Sequence, residues 1–277
     1  MNSQTRNIVV TGANKGIGYS IVERLISENT PFDIIATSRD PKLGEKAVAE
    51  LLNKYPNFKN TLTYHQLDIN DEKSIDTFVD WLKNTSGKLD VLLNNAGVAY
   101  NNPTDIQKIN IVKTNFFSVI NLTEKLLPLL TADGKIIMVS SILGTLSFQG
   151  PTLRNALENE SITEQELYDI ANNILENIKD YPEDAFLPEA SYPASKALLN
   201  TYVRKFLQAK LKDNQQSYSL HPGHVETDLT KGFDSEGNKL ITPYQGADTP
   251  VYLVNLPFVK NSELNGKFFS DRKIVAY

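Results

Sequence analysis

Short apolar runs alternate with helical stretches along most of the chain. The runs are four to six residues long and several are rich in β-branched side chains, which is typical of strands buried on both faces of a sheet. The predicted strands are Ile8–Thr11, Asp33–Thr37, Leu62–Leu67, Val91–Asn94, Lys135–Ser140 and Tyr218–His221. The helical stretches between them include Ile17–Ser27, Lys42–Lys54 and Lys73–Asn84. This alternation predicts a doubly wound α/β fold, a Rossmann-type parallel sheet with helices on both faces, whose ligands bind at the carboxyl ends of the strands.

The alternation is interrupted between about residues 143 and 190, where the sequence predicts no buried strand. Apolar side chains in this segment recur at helical spacing, at Ile162, Leu167, Ile170, Ile174, Leu175 and Ile178. Thr163 and Glu166 form a capping-box pattern at the start of that helix. We therefore expect a helical insertion, too small to be a domain, whose apolar face packs on the rest of the protein.

Composition narrows the classes of function. The 277-residue chain has a formal net charge of −5, which gives no support for nucleic-acid binding, and it contains no cysteine, which excludes disulfides and thiolate chemistry. No leader pattern precedes the first apolar run, and no apolar stretch approaches the ~20 residues that cross a bilayer. We expect a cytoplasmic protein that binds neither nucleic acid nor membranes.

A glycine-rich turn, Thr11-Gly12-Ala13-Asn14-Lys15-Gly16-Ile17-Gly18, follows the first predicted strand and opens the first helix. Its spacing differs from the commoner Gly-x-Gly-x-x-Gly, and such a turn can also be a plain strand–helix connection. Its place in a parallel sheet favours a pyrophosphate site, where helix N–H groups meet the phosphates. The residues expected to bind the cofactor here are Gly12, Asn14, Lys15, Gly16, Ile17 and Gly18. The whole chain, 1–277, is accordingly predicted to be a single dinucleotide-binding domain.

The end of the second predicted strand indicates which dinucleotide fits. A carboxylate there favours NAD, whereas an arginine accommodates the 2′-phosphate of NADP. Ser38 and Arg39, with Lys15 from the glycine turn, offer a hydroxyl and two cations, so the sequence favours NADPH over NADH. Asp40 is expected to begin the next turn, and a surface Arg39–Asp40 pair is the alternative interpretation.

Tyr192 and Lys196 form a Tyr-x-x-x-Lys pattern at the start of a helical stretch that runs to about Leu211. Residues four apart lie on one face of a helix, and a nearby ammonium is expected to lower the pKa of the phenol, which suits acid–base chemistry. The pattern is weak alone, since Tyr55 and Lys59 also match it, in what we interpret as a loop.

The order of the motifs is more specific than any one of them. Along the chain lie the glycine turn, Asn94-Asn95-Ala96-Gly97, Ser140-Ser141, Tyr192-x-x-x-Lys196 and Pro222-Gly223. With this set the sequence resembles the short-chain dehydrogenase/reductase family, and within it the branch of monomeric carbonyl reductases. The resemblance runs from Ile8 to near the C-terminus. Members of that branch carry an insertion before the tyrosine, which would cover the helix surface through which other members pair.

The resemblance implies a catalytic tetrad of Asn115, Ser141, Tyr192 and Lys196. Tyr192 would donate a proton to the developing alkoxide, and Ser141 would hydrogen-bond the substrate oxygen. Lys196 would bind the nicotinamide ribose and tune Tyr192, while Asn115 would hold a water that links Lys196 to solvent. Alternatively, Ser141 is an ordinary turn residue and Asn115 a buried polar group of a helix.

The resemblance also implies further cofactor contacts. Asp68 and Ile69 would flank the adenine, although Asp68 could instead cap the helix that follows it. Asn95 would approach the adenosine-side ribose or nearby backbone. The remaining expected contacts are Ala96, Gly97, Tyr192, Lys196, Pro222, Gly223, Val225 and Thr227.

The implied activity is NADPH-dependent reduction of ketones, aldehydes or quinones by a monomeric enzyme. A non-catalytic NADPH-binding regulator and an oxidative secondary-alcohol dehydrogenase are the alternatives. We expect no metal: His221 and His224 flank Pro222-Gly223, which excludes a regular helix, and no third ligand is near in sequence.

Overall fold

An eight-stranded sheet forms the centre of the computed structural model, which describes residues 5–182, 190–212, 214–230, 240–257 and 263–277. The strands are β1 (Arg6–Val10), β2 (Phe32–Ser38), β3 (Leu62–Gln66), β4 (Leu89–Asn94), β5 (Leu130–Val139), β6 (Gln216–His221), β7 (Phe268–Ser270) and β8 (Lys273–Val275). Their order is β3-β2-β1-β4-β5-β6-β7-β8, and only β8 is antiparallel to its neighbour. The predicted doubly wound fold is confirmed. The strand order reverses between β1 and β4, and this switch point is where such sheets bind ligands.

All six predicted strands are present in the sheet. β5 begins at Leu130, five residues before its predicted start at Lys135. β7 and β8 were not predicted, because three residues each are too few to show a hydrophobic period.

Helices cover both faces of the sheet. They are α1 (Gly16–Ser27), α2 (Pro41–Lys54), α3 (Glu72–Thr85), α4 (Asp105–Val112), α5 (Val119–Leu126), α6 (Pro151–Glu158), α7 (Glu164–Glu176), α8 (Ser191–Tyr202), α9 (Gln208–Lys210), α10 (Pro243–Gly246) and α11 (Asp248–Asn255). Successive residues of β1 enter opposite cores, since Val9 packs with α3, α5 and α8 whereas Ile8 and Val10 pack with α1 and α11. Among the residues described, no helix is long and apolar enough to span a membrane.

Two helices, α6 and α7, occupy the segment where a helical insertion was predicted. Thr163 caps α7 in a reciprocal box, because its hydroxyl accepts from the Glu166 N–H at 3.2 Å and its own N–H donates to the Glu166 carboxylate at 2.7 Å. The buried face of α7 carries Leu167, Ala171 and Ile174, which join the same core as α8. The last part of the predicted insertion, residues 183–189, lies outside the described residues.

Candidate active site

Hydrogen bonds hold the glycine turn to the segment that follows β4. The Thr11 hydroxyl accepts the backbone N–H groups of Asn95 and Ala96, both at 3.0 Å. The Asn95 amide donates to the carbonyls of Thr11 and Gly12, at 2.9 and 3.1 Å. A Cβ at Gly18 would lie 2.3 Å from the Gly12 carbonyl oxygen, so α1 can pack this close only with glycine there. Asn95 therefore contacts the backbone of the turn, one of its two expected positions.

The N-terminus of α1 has the properties of an anion site. Gly16 opens the helix with a φ of +57°, and Lys15 before it makes no side-chain cap bond. No acidic residue lies in the first turn, and Asn14 and Ile17 are half-buried beside it. No side chain among the described residues caps the N–H groups at the start of α1, which fits a pyrophosphate.

Arg39, one of the two predicted cations, follows β2 and is exposed. Ser38 is buried, and its hydroxyl donates to the Asp40 carbonyl at 2.9 Å. The Asp40 carboxylate accepts from the Leu43 N–H at 3.1 Å and so caps α2, as its predicted place at the next turn implied. Asp40 is thus a helix cap, and no Arg39–Asp40 ion pair forms among the described residues.

Lys15, the second predicted cation, forms an ion pair. Its ammonium lies 2.5 Å from the carboxylate of Asp228, and both side chains are largely exposed. An exposed pair of this kind contributes little stability, so Lys15 can exchange Asp228 for a phosphate at low cost.

The predicted adenine contacts lie between β3 and α3. The helix cap here is Asp71, which accepts from the Lys73 N–H at 3.0 Å, so the alternative role of Asp68 as cap is wrong. The Asp68 carboxylate instead accepts from the Asn70 N–H at 3.0 Å, and Ile69 is buried.

Ser141, Tyr192 and Lys196 converge beyond the carboxyl end of β5. Ser141 follows the strand, and its side chain is hydrogen-bonded to the Tyr192 phenol. The Lys196 ammonium donates to the Val139 carbonyl at 3.0 Å and lies 5.7 Å from the centre of the Tyr192 ring. Ser141 and Lys196 are buried, while Tyr192 remains partly exposed. The helical spacing therefore brings both α8 side chains to the end of β5, with Tyr192 at Ser141 and Lys196 at Val139.

Burial dominates the titration of this cluster. Desolvation raises the pKa of Tyr192 to about 12, although the hydrogen bond from Ser141 acts in the opposite direction. Desolvation also lowers the pKa of Lys196 to about 8. The prediction of a lowered pKa for Tyr192 is wrong for this structure, because desolvation of the phenol outweighs the hydrogen bond that favours its ionised form.

Asn115 lies in a π-helical turn between α4 and α5 and is fully buried. Its side-chain oxygen accepts from the Val98 N–H at 2.8 Å, and its amide donates to the Val98 carbonyl at 2.9 Å and to the Ser195 hydroxyl at 3.2 Å. The Ser195 hydroxyl donates in turn to the Tyr192 carbonyl at 2.7 Å. Asn115 thus joins the segment after β4 to the helix of Tyr192. The water expected beside it stays a prediction.

Gly97 separates Asn115 from Lys196. A Cβ at this position would lie 3.1 Å from the Asn115 side-chain oxygen and 3.7 Å from the Lys196 ammonium. Ala96, one residue earlier, packs against the Gly12 backbone. The small size of Gly97 and Ala96 therefore allows the glycine turn, Asn115 and Lys196 to lie close to the segment after β4.

The segment after β6 approaches the glycine turn. Gly223, after Pro222, has a φ of +93°, and Val225 is buried and bridged to Ile241. Beyond it, the Thr227 methyl group lies 3.6 Å from where a Gly16 Cβ would be. The expected carboxamide contacts Val225 and Thr227 thus lie on the segment that faces the glycine turn.

The two histidines at the end of β6 have ring centres 6.2 Å apart. Burial lowers the pKa of His221 to about 4, whereas His224 is exposed. Across the described ranges, no group of three or more histidine, cysteine or acidic side chains could hold a metal ion.

Sequence reasoning missed Thr11 and Ser195. Thr11 is the polar residue directly after the apolar strand β1, which is a usable signal for a side chain that forms hydrogen bonds at the strand end. Ser195 hydrogen-bonds a partner 80 positions earlier, and no local pattern reports such a contact.

A parallel sheet with a glycine turn at its switch point and a Ser–Tyr–Lys cluster beside it defines a dinucleotide-dependent oxidoreductase. The family model described as short chain dehydrogenase matches residues 6–153, which is more than half of the chain. Carbonyl reductase [NADPH] 1 of Sus scrofa is 36% identical over 292 aligned positions, covering 100% of this chain and 96% of that protein.

Two solved structures share the fold over nearly the full length. Salutaridine reductase from Papaver somniferum matches with a TM-score of 0.82 and 29% identity, covering 96% of this chain and 99% of that one. Menthone neomenthol reductase from Mentha piperita matches with a TM-score of 0.79 and 27% identity over the same shares. The chain belongs to the short-chain dehydrogenase/reductase family of oxidoreductases.

Proposed function

We propose that this protein reduces ketones, aldehydes or quinones to alcohols with NADPH. The observation that carries the proposal is the hydrogen bond between Ser141 and Tyr192, made beside the buried Lys196 beyond the carboxyl end of β5. The similarity to carbonyl reductase [NADPH] 1 over the whole chain supports the same reaction.

Bound NADPH would supply the hydride. Hydride arrival at a carbonyl carbon builds negative charge on the oxygen, and the Ser141 and Tyr192 hydroxyls are two donors that can meet it. Because the pKa of Tyr192 is raised to about 12, the phenol carries its proton at neutral pH, as a proton donor must. Lys196 would hold the nicotinamide ribose with the N–H groups not directed to Val139.

The residues present fit NADPH. The uncapped start of α1 suits the pyrophosphate. Exposed Arg39 and Lys15 suit a 2′-phosphate, because position 39 carries an arginine and not the carboxylate that favours NAD. Asp68, Ile69, Asn95 and the segment from Pro222 to Thr227 are proposed to hold the remaining parts of the dinucleotide. The cytoplasmic location expected from the sequence stays a prediction.

The test is a panel of quinones, aromatic aldehydes and ketoesters, with NADPH consumption followed by absorbance. We expect turnover of at least one class, and we expect Tyr192→Phe to lose about 10²–10⁴-fold in kcat, because the general acid is removed. Tyr202→Phe, on the same helix, is the matched control and should keep wild-type turnover.

The alternatives make different predictions. A non-catalytic NADPH-binding regulator would bind the cofactor and turn over no member of the panel. An oxidative dehydrogenase would turn over secondary alcohols with NADP⁺ much faster than carbonyls with NADPH. Either result would contradict the proposed reaction.

A further inference from the structure

A third polar side chain, Asn200, lies on the face of α8 that carries Tyr192 and Lys196. The three residues are spaced four apart, so they follow one another along a single face of the helix. Asn200 is only 1% exposed, and its amide donates to the Gly144 carbonyl at 3.0 Å. The bond reaches across 56 positions of sequence, from α8 to the segment after β5.

Gly144 and Ser141 are the two ends of one short turn. Ser141 caps the 3₁₀ turn Ile142–Gly144, with its side-chain oxygen accepting from the Leu143 N–H at 3.2 Å. The Ser141 carbonyl accepts from the Gly144 N–H at 3.0 Å. A bond that fixes the Gly144 carbonyl therefore also limits where the Ser141 hydroxyl can lie.

The turn rests directly on α8. A Cβ at Gly144 would lie 2.7 Å from both the carbonyl carbon and the Cβ of Lys196, and 2.9 Å from the Asn200 amide nitrogen. Glycine thus brings the backbone of the turn into contact with the helix between Lys196 and Asn200. The same small region holds the bond from Lys196 to Val139, so turn and helix are joined on both sides of Ser141.

We propose that Asn200 is a positioning residue, which sets the Ser141 hydroxyl against Tyr192 by holding the Gly144 carbonyl to α8. This inference rests on the proposed carbonyl reduction, since it assigns a residue that acts through Ser141. Asn200 itself touches no reacting atom. Its effect comes from geometry, because a shift of about 1 Å in a catalytic group can cost about 10²-fold in rate.

The test is a double-mutant cycle of Asn200→Ala and Ser141→Ala, assayed with a turned-over carbonyl. Asn200→Ala should lower kcat by about 10–100-fold while the Kd for NADPH changes less than about twofold. Ser141→Ala should lower kcat by about 10²–10³-fold, as expected for the loss of one oxyanion donor. In the Ser141→Ala background, Asn200→Ala should cost less than about threefold, because its effect passes through the serine.

Two further variants separate positioning from general damage. Gly144→Ala pushes the turn off α8 and should lower kcat as Asn200→Ala does. It replaces Asn200→Ala in the test if that variant does not fold. Tyr202→Phe removes a bond of similar length, 2.9 Å to the Glu124 carboxylate, from the same helix and should leave kcat unchanged.

Several results would overturn the inference. They are an Asn200→Ala enzyme with wild-type kcat, an effect that is fully additive with Ser141→Ala, or an equal loss in Tyr202→Phe. If the wild type reduces carbonyls and only these comparisons fail, the proposed reaction stands without the role for Asn200. A wild type that turns over no carbonyl contradicts the proposed reaction itself.

Discussion

At the scale of single residues, the site depends on the balance between burial and hydrogen bonding. Spacing alone correctly predicted that Tyr192 and Lys196 share a helix face, whereas the grouping of Ser141 with Tyr192 was expected only from the resemblance to the family. Their pKa values could not be predicted, because desolvation depends on every group packed around the cluster. Asn200 was not predicted either, since its partner Gly144 becomes a neighbour only in the folded chain.

The pKa of Lys196 gives a prediction for the pH dependence of the free enzyme. With that pKa lowered to about 8, the ammonium is lost as pH rises through this value, whereas Tyr192, at about 12, keeps its proton. We therefore expect kcat/KM for NADPH to be flat below about pH 8 and to fall above it, since this ratio reports the free enzyme.

Lys196→Arg is the control for this profile. A guanidinium stays charged across the range, so whatever activity the variant retains should show no decline near pH 8. A wild-type kcat/KM that rises steadily from about pH 8 to about pH 10 would contradict the assignment.

At the scale of elements, most of the secondary structure was predicted from the period of the hydrophobic residues and from the residues that cap helices. The apolar runs identified six strands, and Thr163 with Glu166 located the start of α7 within the insertion. The same reasoning failed for β7 and β8, which are too short for a period. It also failed for the start of β5, because Thr131 and Asp133 interrupt the apolar pattern there.

The connections between elements were harder to predict than the elements themselves. The contact of Gly18 with Gly12, and that of Gly144 with Lys196, depend on how closely two backbones approach. Sequence marks such positions only as glycines, without saying which partner requires them. The first contact sets how closely α1 packs on the glycine turn, and the second sets how closely the turn after β5 packs on α8.

At the scale of the whole molecule, we propose that α7 keeps the protein monomeric. Its buried face packs against α8. Lys210 links α7 to α5 by ion pairs of 2.8 Å to Glu164 and 2.6 Å to Glu124. The resemblance to the family implies that other members pair through the helices that bear the Asn115 and Tyr192 motifs, and that α7 covers this surface.

Light scattering at micromolar concentration should give about 31.0 kDa, the mass of one chain. Leu167→Asp should lower the melting temperature and promote association, because it places a carboxylate on the fully buried face of α7. Gln165→Asp, on the exposed side of the same helix, should not promote association, although it removes the hydrogen bond from Gln165 to Asp169. A stable wild-type tetramer would contradict the monomer.

The central claim is that one cleft brings a hydride donor and the Tyr192 hydroxyl to the same carbonyl group. The most direct measurement is isotope transfer from NADPH deuterated at the transferring position of its nicotinamide. With wild-type protein, the alcohol product should carry deuterium on its carbinol carbon. With Tyr192→Phe, NADPH should still bind, but labelled alcohol should form at background rate. Wild-type transfer by the phenylalanine variant, or no transfer by the wild type, would contradict the account.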